Sequence, residues 1–573
     1  MFETVHFIIF RQVNDPMNRS MLPQKSFINF VICLVILFLI QLLVTFNTEL
    51  FHDEAYYWMY SQYPDWGYFD HPPMVAILIR LGNNLFAGEG GNRILFLILN
   101  FSSIFLLYRL LQPKNLLLFT FLIGSCSFFL LYGFLTFPDT PLVFFSLLFF
   151  LSYKKYLQND SVSNSLWMVI SMTGMLYSKY HGILILVFTL LSNLRLLKNL
   201  SFYWIVFITT LVYIPHLYWQ YTHSWAAVKF QLIDRTQSVY KISYFFSYLL
   251  QPFILFGLSG IPIFYAAWKT RADSGFEKSL KWNIAGVLCF FLLFSFSRRI
   301  EANWTNILSG PFICLAYGEL QNNLRLVQKY FRFLFIPTFA TYLFALSCFV
   351  FDILPSGWNL SSEIHHQKLW SSQIENATRH RPVVFFNSYQ MAAKYQFYSG
   401  IVSYTLNDNK FRNNQYSFWP IEDSLLGKEV AIIPNWNERS FDSVQTVRGK
   451  YSFRIMDHFV SFGRIKIIPE HSSYSFQAGK TSELDFQLVV PDTLYIPYMR
   501  TTDATMCYSF FKNGKEFQTK RSELFMSNLS TNKSNTIHID SPAEPGEYQL
   551  NLSIQTGILQ PTMNSDPIGI RIY

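Results

Sequence analysis

The sequence predicts a polytopic α-helical membrane protein of about eleven spans, followed by a polar region made of an α/β part and a β-sandwich. Three observations predict it. Of the 573 residues, 14% are charged, 51% hydrophobic and 19% aromatic, whereas soluble domains carry about 25% charged residues. Apolar runs near spanning length recur through residues 27–354. From Pro355 onward no such run remains, and Asn, Ser and charged residues rise. These features exclude a disordered chain, a collagen-like fibre and a soluble single-domain enzyme. The net charge of +9 would suggest nucleic acid if it formed patches on a soluble surface. Many of the Lys and Arg residues instead lie in short clusters between apolar runs.

Taken in order, residues 1–26 read as a cytoplasmic N-terminal segment. Its apolar stretch Val5–Phe10 is too short to span, and Met17 and Met21 are alternative starts that leave a basic flank. The first span runs from about Phe27 to Phe46 and is retained, because no small-residue cleavage site follows it. Further spans are expected at 92–111, 115–135, 138–153, 164–178, 182–197, 202–219, 243–267, 282–296, 304–320 and 333–354. Lys154 and Lys155, Arg195 and Lys198, Lys269 to Lys281, and Arg325 to Arg332 fall on alternate connections. By the positive-inside rule that face is cytoplasmic. The N-terminus is then inside, and the C-terminal region outside. Five of six Cys residues (Cys33, Cys126, Cys289, Cys314, Cys348) fall in apolar runs and one, Cys507, in the polar part, so neither a disulfide framework nor a metal-type spacing follows.

Residues 27–354 thus form the membrane domain, with two extracytoplasmic subdomains at 355–469 and 470–573. In the first, VVFFN reads as a strand and YQMAAKYQFYS as a helix, with further strands near 429–433 and 463–468. In the second, LDFQLVV, MCYSFF, TIHI and YQLNLSI alternate between turn residues, the pattern of a small antiparallel sandwich.

The chemistry concentrates in the first external loop, residues 51–82, with Asp53, Glu54, Asp65 and Asp70 beside His52 and His71. Adjacent carboxylates at a membrane surface are costly unless substrate, cation or water compensates them. One reading is a general base at the water–lipid boundary. The other is a solvated loop in which Asp53 caps the following helix, with its many aromatic residues forming an interfacial belt. Asp139, between Pro138 and Pro141, reads as a second external carboxylate or as a helix N-cap. External cations are few. Lys179, His181, Arg235 and Arg298 are candidates for a lipid-linked phosphate, and Lys179 and Arg298 border membrane runs. His71 is held rigidly by Pro72 and Pro73.

DEAYYW followed by DWGYFDHPPMVA, then FPDTPLVFF, SKYHG, PHLYWQ with HSW, KFQLIDR and EANW, resembles the bacterial membrane glycosyltransferases of the GT-C superfamily. The similarity is to the protein-mannosyltransferase-like group (glycosyltransferase families 39 and 83), which includes lipid A aminoarabinose transferases. It covers roughly residues 27–350. The resemblance implies the GT-C fold and a bacterial inner-membrane location. It implies Asp53 as the catalytic carboxylate acting on the acceptor, Glu54 as its partner, and Asp139 as the second external Asp. Asp70 and His71 stand where the aminoarabinose transferases have Glu-Lys before Pro-Pro, and that Lys helps to bind lipid phosphate. His carries full charge only when its pKa lies above ambient pH, so this departure argues against lipid A or aminoarabinose as substrate. The phosphate role passes to Lys179, Arg235 or Arg298.

The reaction expected is transfer of a sugar from a polyprenyl-phosphate donor to a lipid, glycan or protein acceptor on the external face, without cofactor or metal. Two rivals stand beside it. A transporter or flippase for a lipid-linked sugar would place ionisable residues midway through spans, whereas the acids here lie at span ends and in loops. A glycan polymerase or ligase on the same fold remains open on sequence.

Overall fold

The computed structural model describes residues 22–232, 241–323, 327, 329, 331–355, 363–436, 438–531 and 533–573. The expected cytoplasmic segment up to residue 21, and Arg235, lie outside the described residues. The chain divides into two compact units, each built from separate stretches of sequence.

The first unit comprises Met1–Thr48, Leu81–Leu217 and Tyr240–Phe351, and its described residues are mainly helical. Among the described residues six helices are long and apolar enough to cross a membrane: Ser26–Asn47, Gly88–Leu111, Leu200–Thr222, Ile242–Lys269, Gly275–Ser295 and Phe333–Val350. The first exposes Val31, Val35, Leu39 and Leu43 along one side, as a lipid-facing helix does when only its opposite stripe packs on protein. Five of the eleven expected spans are not among these six. The run 115–135 breaks into the helix Leu116–Gly124 and a π-turn at Phe128–Tyr132. The carbonyls freed at the break are not left bare. Gln41 Nε2 donates to the oxygens of Phe129 and Leu130 at 2.7 and 3.0 Å, and Asn100 Nδ2 to Phe129 at 3.0 Å, the compensation that broken backbone requires away from water. The run 304–320 becomes a 3₁₀ turn, Ala302–Leu308, and a twelve-residue helix, Ser309–Leu320, almost wholly buried. It is apolar because it lies inside the bundle. Arg93, fully buried, donates to the carbonyl and hydroxyl of Thr48 at 2.9 and 2.7 Å, closing the end of the first span.

The second unit comprises Glu49–Arg80, Tyr218–Val239 and Asp352–Tyr573. Its α/β part is a sheet ordered β2-β1-β3-β5-β4, with β1 at Val383–Phe386, β2 at Ser403–Leu406, β3 at Val430–Ile433, β4 at Asp442–Thr446 and β5 at Gly449–Met456. β1 runs parallel to β2 and β3, with Val383 opposite Ser403 and Ala431, and all three are buried on both faces, as expected of parallel strands. The β1–β2 crossover is the helix Tyr389–Ser399. Ser388 Oγ caps it by accepting from Met391 N, and Gly400 ends it at φ +73°, a left-handed turn that glycine adopts without strain. That helix packs on His52–Gln62 of the first loop. Trp58 meets Phe397 edge-on at 5.1 Å, and Leu50 N donates to Tyr398 Oη at 2.7 Å.

The β-sandwich follows: β6 Lys466–Pro469, β7 Ser473–Phe476, β8 Thr481–Val489, β9 Ala504–Lys512, β10 Lys515–Phe525, β11 Asn535–Asp540, β12 Gly546–Thr556 and β13 Ile568–Ile572. A five-stranded sheet, β10-β9-β12-β13-β7, faces a three-stranded one, β11-β8-β6, over a core that includes Leu484, Phe486, Met506, Phe510 and Leu552. The expected antiparallel pattern holds except for β7, which joins β13 in parallel. β9 is buried on both faces from Ala504 to Phe510. One face meets the sandwich core, and Ser509 on the other receives a hydrogen bond from Asn409 of the α/β part at 2.6 Å.

Candidate active site

Asp53 and Glu54 sit in the first turn of the helix His52–Gln62. Asp53 is not the cap. Phe51 holds that position and offers no capping oxygen, so Glu54 turns back and accepts from Phe51 N through Oε2 at 3.0 Å. Glu54 is fully buried and oriented by this bond. Its replacement by Ala would take this bond from the part-buried Phe51 amide, a loss of about 1–3 kcal/mol. Glu54→Ala is expected to lower the thermal midpoint of the purified protein, and Glu54→Gln to recover much of it. Differential scanning fluorimetry in detergent measures both.

Asp53 is half-buried and free of that local duty. Burial, then repulsion from Asp70 and Glu363, push its carboxyl up to about 6, while a hydrogen bond with Gln390 and the charge of Arg412 pull the other way. A carboxyl near 6 is still ionised at neutral pH, and it takes a proton more readily than an ordinary Asp. The loop around it is ordered by aromatic side chains. Tyr60 Oη donates to Asp70 Oδ1, its ring stacks on Tyr68 at 4.1 Å, and Tyr57 Oη lies 3.1 Å from His71 Nε2. Tyr56, Tyr57, Tyr60 and Tyr68 are buried, so they wall the acidic loop rather than spread as an interfacial belt.

The α/β part supplies the rest of this cluster. The Tyr389 ring packs 4.4 Å from that of Tyr56, and its hydroxyl accepts from Arg412 Nη2 at 2.8 Å. Gln415 N donates to Tyr56 Oη at 2.8 Å, while its Oε1 accepts from Phe69 N at 2.6 Å. A charged brace anchors the root of the loop. Glu49 accepts from the amides of Gln367 and Lys368 at 2.5 and 3.0 Å, placing a carboxylate on the N-terminus of the helix Gln367–Ala377. Lys394 donates to the carbonyl of Glu363, and Arg448 Nη1 to Gln367 Oε1 at 2.8 Å. Burial and neighbouring Arg448 lower the ammonium of Lys394, against the pull of Glu363, Glu49 and Glu54. Burial, with Lys394 and Arg448, holds His52 neutral, down to about 2.

A second cluster lies in the first unit. Asp139 opens the helix Asp139–Gln158, but Pro138 is the cap and the carboxylate makes no cap hydrogen bond. It accepts instead from Lys179 Nζ through both oxygens, at 2.9 and 2.8 Å, and from Asn303 Nδ2 at 3.0 Å. Asp139 and Lys179 are 2% and 4% exposed, so each neutralises the other in a nearly dry place. The imidazole of His181 packs 4.8 Å from the Trp304 ring, and the Arg298 guanidinium lies 5.5 Å from the same ring and 4.4 Å from Phe294. Arg298 is 6% exposed.

Sequence reasoning named Asp139, Lys179, His181 and Arg298 but not Asn303 or Trp304, although both belong to the EANW motif. It missed Tyr389, Gln390, Arg412 and Gln415. They stand in a region without recognised resemblance, and only folding brings them to the first loop. Among the described residues no group of three or more His, Cys, Asp and Glu side chains is placed to hold a metal ion.

Residues 70–219 match the model of the dolichyl-phosphate-mannose-protein mannosyltransferase family. No curated protein sequence matches the chain. Two solved structures of ArnT from Cupriavidus metallidurans are similar in fold. The apo form matches with a TM-score of 0.56 at 13% identity, over 75% of this chain and 98% of ArnT. The form bound to undecaprenyl phosphate matches at 0.52 and 12% identity, over 74% and 97%. The chain is thus a multi-pass membrane protein of the GT-C fold, whose residues 70–219 match the dolichyl-phosphate-mannose-protein mannosyltransferase family.

Proposed function

We propose that the protein is a membrane glycosyltransferase that moves a sugar from a polyprenyl-phosphate donor to an acceptor hydroxyl on the extracytoplasmic face of a bacterial inner membrane. The observation that carries this reading is Asp53: a half-buried carboxyl raised to about 6, in a loop ordered by aromatic side chains, on a fold shared with an ArnT that binds undecaprenyl phosphate. In the proposed step Asp53 accepts the proton of the acceptor hydroxyl as its oxygen attacks the anomeric carbon. The bond from that carbon to the phosphate oxygen breaks, and polyprenyl phosphate leaves with the electron pair. A single displacement inverts the anomeric configuration. The leaving phosphate needs cationic partners. Lys179 and Arg298 are the candidates for that role among the described residues. Glu54 serves by fixing the turn that carries Asp53.

The test is reconstitution of the full chain in lipid with radiolabelled undecaprenyl-phosphate sugars and an envelope extract as acceptor source. Label moving into a lipid, glycan or protein fraction supports the reading and names the acceptor. Label crossing the bilayer still attached to its lipid would make the protein a flippase and overturn it.

A further inference from the structure

The first unit holds a cavity of about 560 Å³ among the ends of four helices, Gly88–Leu111, Asp139–Gln158, Gly275–Ser295 and Ser309–Leu320. Lys154, which lines it, shares a helix with Asp139 but stands fifteen residues further on, about 22 Å along the axis. The cavity is therefore separate from the candidate active site. The positive-inside rule assigns this end to the cytoplasm.

Its deepest lining is apolar, since Leu110, Leu280 and Leu315 are 2%, 1% and 2% exposed. Gln112, Lys114, Gln158 and Asn322 also line it and are exposed, so it opens to the surface through polar side chains. Of its three charged lining residues, Lys114 and Lys154 are cations and Glu277 is the acid. Glu277 accepts from Asp273 N, Ser274 N and Ser274 Oγ at 3.1, 3.0 and 3.0 Å, which holds its charge at the start of the helix Gly275–Ser295. Within four residues of the lining the chain carries nine Lys and Arg against Asp160, Asp273, Glu277 and Glu319, and Lys269 pairs with Glu319 at 2.7 Å. The surroundings are net positive.

Lys154 Nζ is fixed between two lining residues. It donates to the Leu110 carbonyl at 3.0 Å and lies 5.5 Å from the centre of the Phe276 ring. That carbonyl belongs to the last turn of its helix, where a cation is favoured, and the bond takes one of the three N–H groups of the ammonium. Among the described residues Lys154 is not one of the lysines held in an ion pair. A half-buried ammonium without a carboxylate, beside apolar walls in a membrane-spanning unit, suits an anion that brings its own apolar body.

We propose that this cavity binds the phosphate head of an anionic membrane lipid, with Lys154 and Lys114 as its cationic partners and the leucine floor receiving the start of the lipid chain. A lipid bound there joins the ends of four helices, one of which carries Asp139 at its other end. The site stands independently of the glycosyl-transfer reading.

The test is native mass spectrometry of the full chain in detergent with phosphatidylglycerol, phosphatidylethanolamine of the same acyl chains, undecaprenyl phosphate and inorganic phosphate. Phosphatidylglycerol should be retained in preference to phosphatidylethanolamine. Lys154→Gln should weaken its binding about tenfold, the scale of one hydrogen bond to a charged group, and Lys114→Gln by a smaller factor. Lys155→Gln removes a neighbouring cation outside the lining and should leave binding unchanged. Gly318→Leu keeps both lysines and adds a side chain to the lining, where a first carbon meets no atom within 4 Å; it should also displace the lipid. Should Lys154→Gln fold poorly, Lys114→Gln and Gly318→Leu decide. Undecaprenyl phosphate that competes with phosphatidylglycerol and is lost in the same variants supports the lipid-phosphate site and names the carrier lipid as a second source of that head. Equal retention of the two phospholipids, retention that survives these substitutions, or binding of inorganic phosphate in place of any lipid overturns the proposal.

Discussion

Asp53→Asn is expected to lower kcat for transfer by about 10²–10⁴-fold, the usual contribution of a positioned general base, with little change in donor binding. The amide keeps the shape and the hydrogen bond with Gln390 but cannot take a proton. The wild-type rate should also report the carboxyl itself, rising with pH through about 6 and levelling off above it, because only the ionised form is a base. Stability should run the other way. A carboxyl raised in the folded state favours the protonated form, so its contribution is fully present below the unfolded value of about 3.8 and is lost as pH rises through about 6. At pH 7.5 the ionised wild-type side chain therefore costs on the order of 1–3 kcal/mol, discounted for its partial exposure. Asn avoids that cost. Asp53→Asn should thus melt no lower than wild type at pH 7.5, and the two should converge near pH 4. Scanning fluorimetry across that range, beside a kcat profile, separates a lost base from a lost fold. Retention of wild-type turnover by the folded variant would remove Asp53 from the mechanism.

The membrane half was readable because its signals are local. Twenty apolar residues in a row state a span whatever surrounds them, and the run at 27–46 needed nothing more. The run at 115–135 shows the limit: its composition is that of a span, yet Gln41 and Asn100, 74 and 15 residues upstream of its start, make a break tolerable by bonding the freed carbonyls. No window over the run itself contains that information. The acidic loop was legible by the same local logic, since scarce charges stand out in an apolar chain. Its interpretation as an interfacial belt or a capped helix could not be resolved until the fold buried Tyr56 and Tyr60 and gave the capping role to Glu54. In the C-terminal region strand alternation announced β8, β9, β11 and β12, but not that Arg412 would pack on Phe230 or that Gln415 would meet residues more than 340 positions earlier. Such contacts follow from topology, and a polar Arg in a loop looks like any other surface residue before the chain is folded.

The second large effect concerns Asp139 and Lys179. Their two contacts, at 2.9 and 2.8 Å, bind charges that are almost wholly removed from solvent, where desolvation can match or exceed the attraction. Removing one partner leaves the other buried and uncompensated, so Lys179→Met and Asp139→Leu should each lose about 3–5 kcal/mol and fold poorly. The double variant removes both charges together and should recover most of the thermal midpoint, because an apolar pair of similar volume avoids both penalties. Activity decides what the pair is for. If the ion pair only joins the helix Asp139–Gln158 to the segment after Ser178, the double variant should regain transfer as it regains stability. If Asp139 serves the reaction, the double variant should be stable and remain at least about 100-fold slower, the scale of losing one preorganised polar group at a reacting centre. Asn303→Ala sharpens the comparison. It takes one 3.0 Å bond from Asp139 and leaves the ion pair in place, so a rate loss with an unchanged midpoint would mark the orientation of that carboxylate, rather than its charge balance, as what turnover requires.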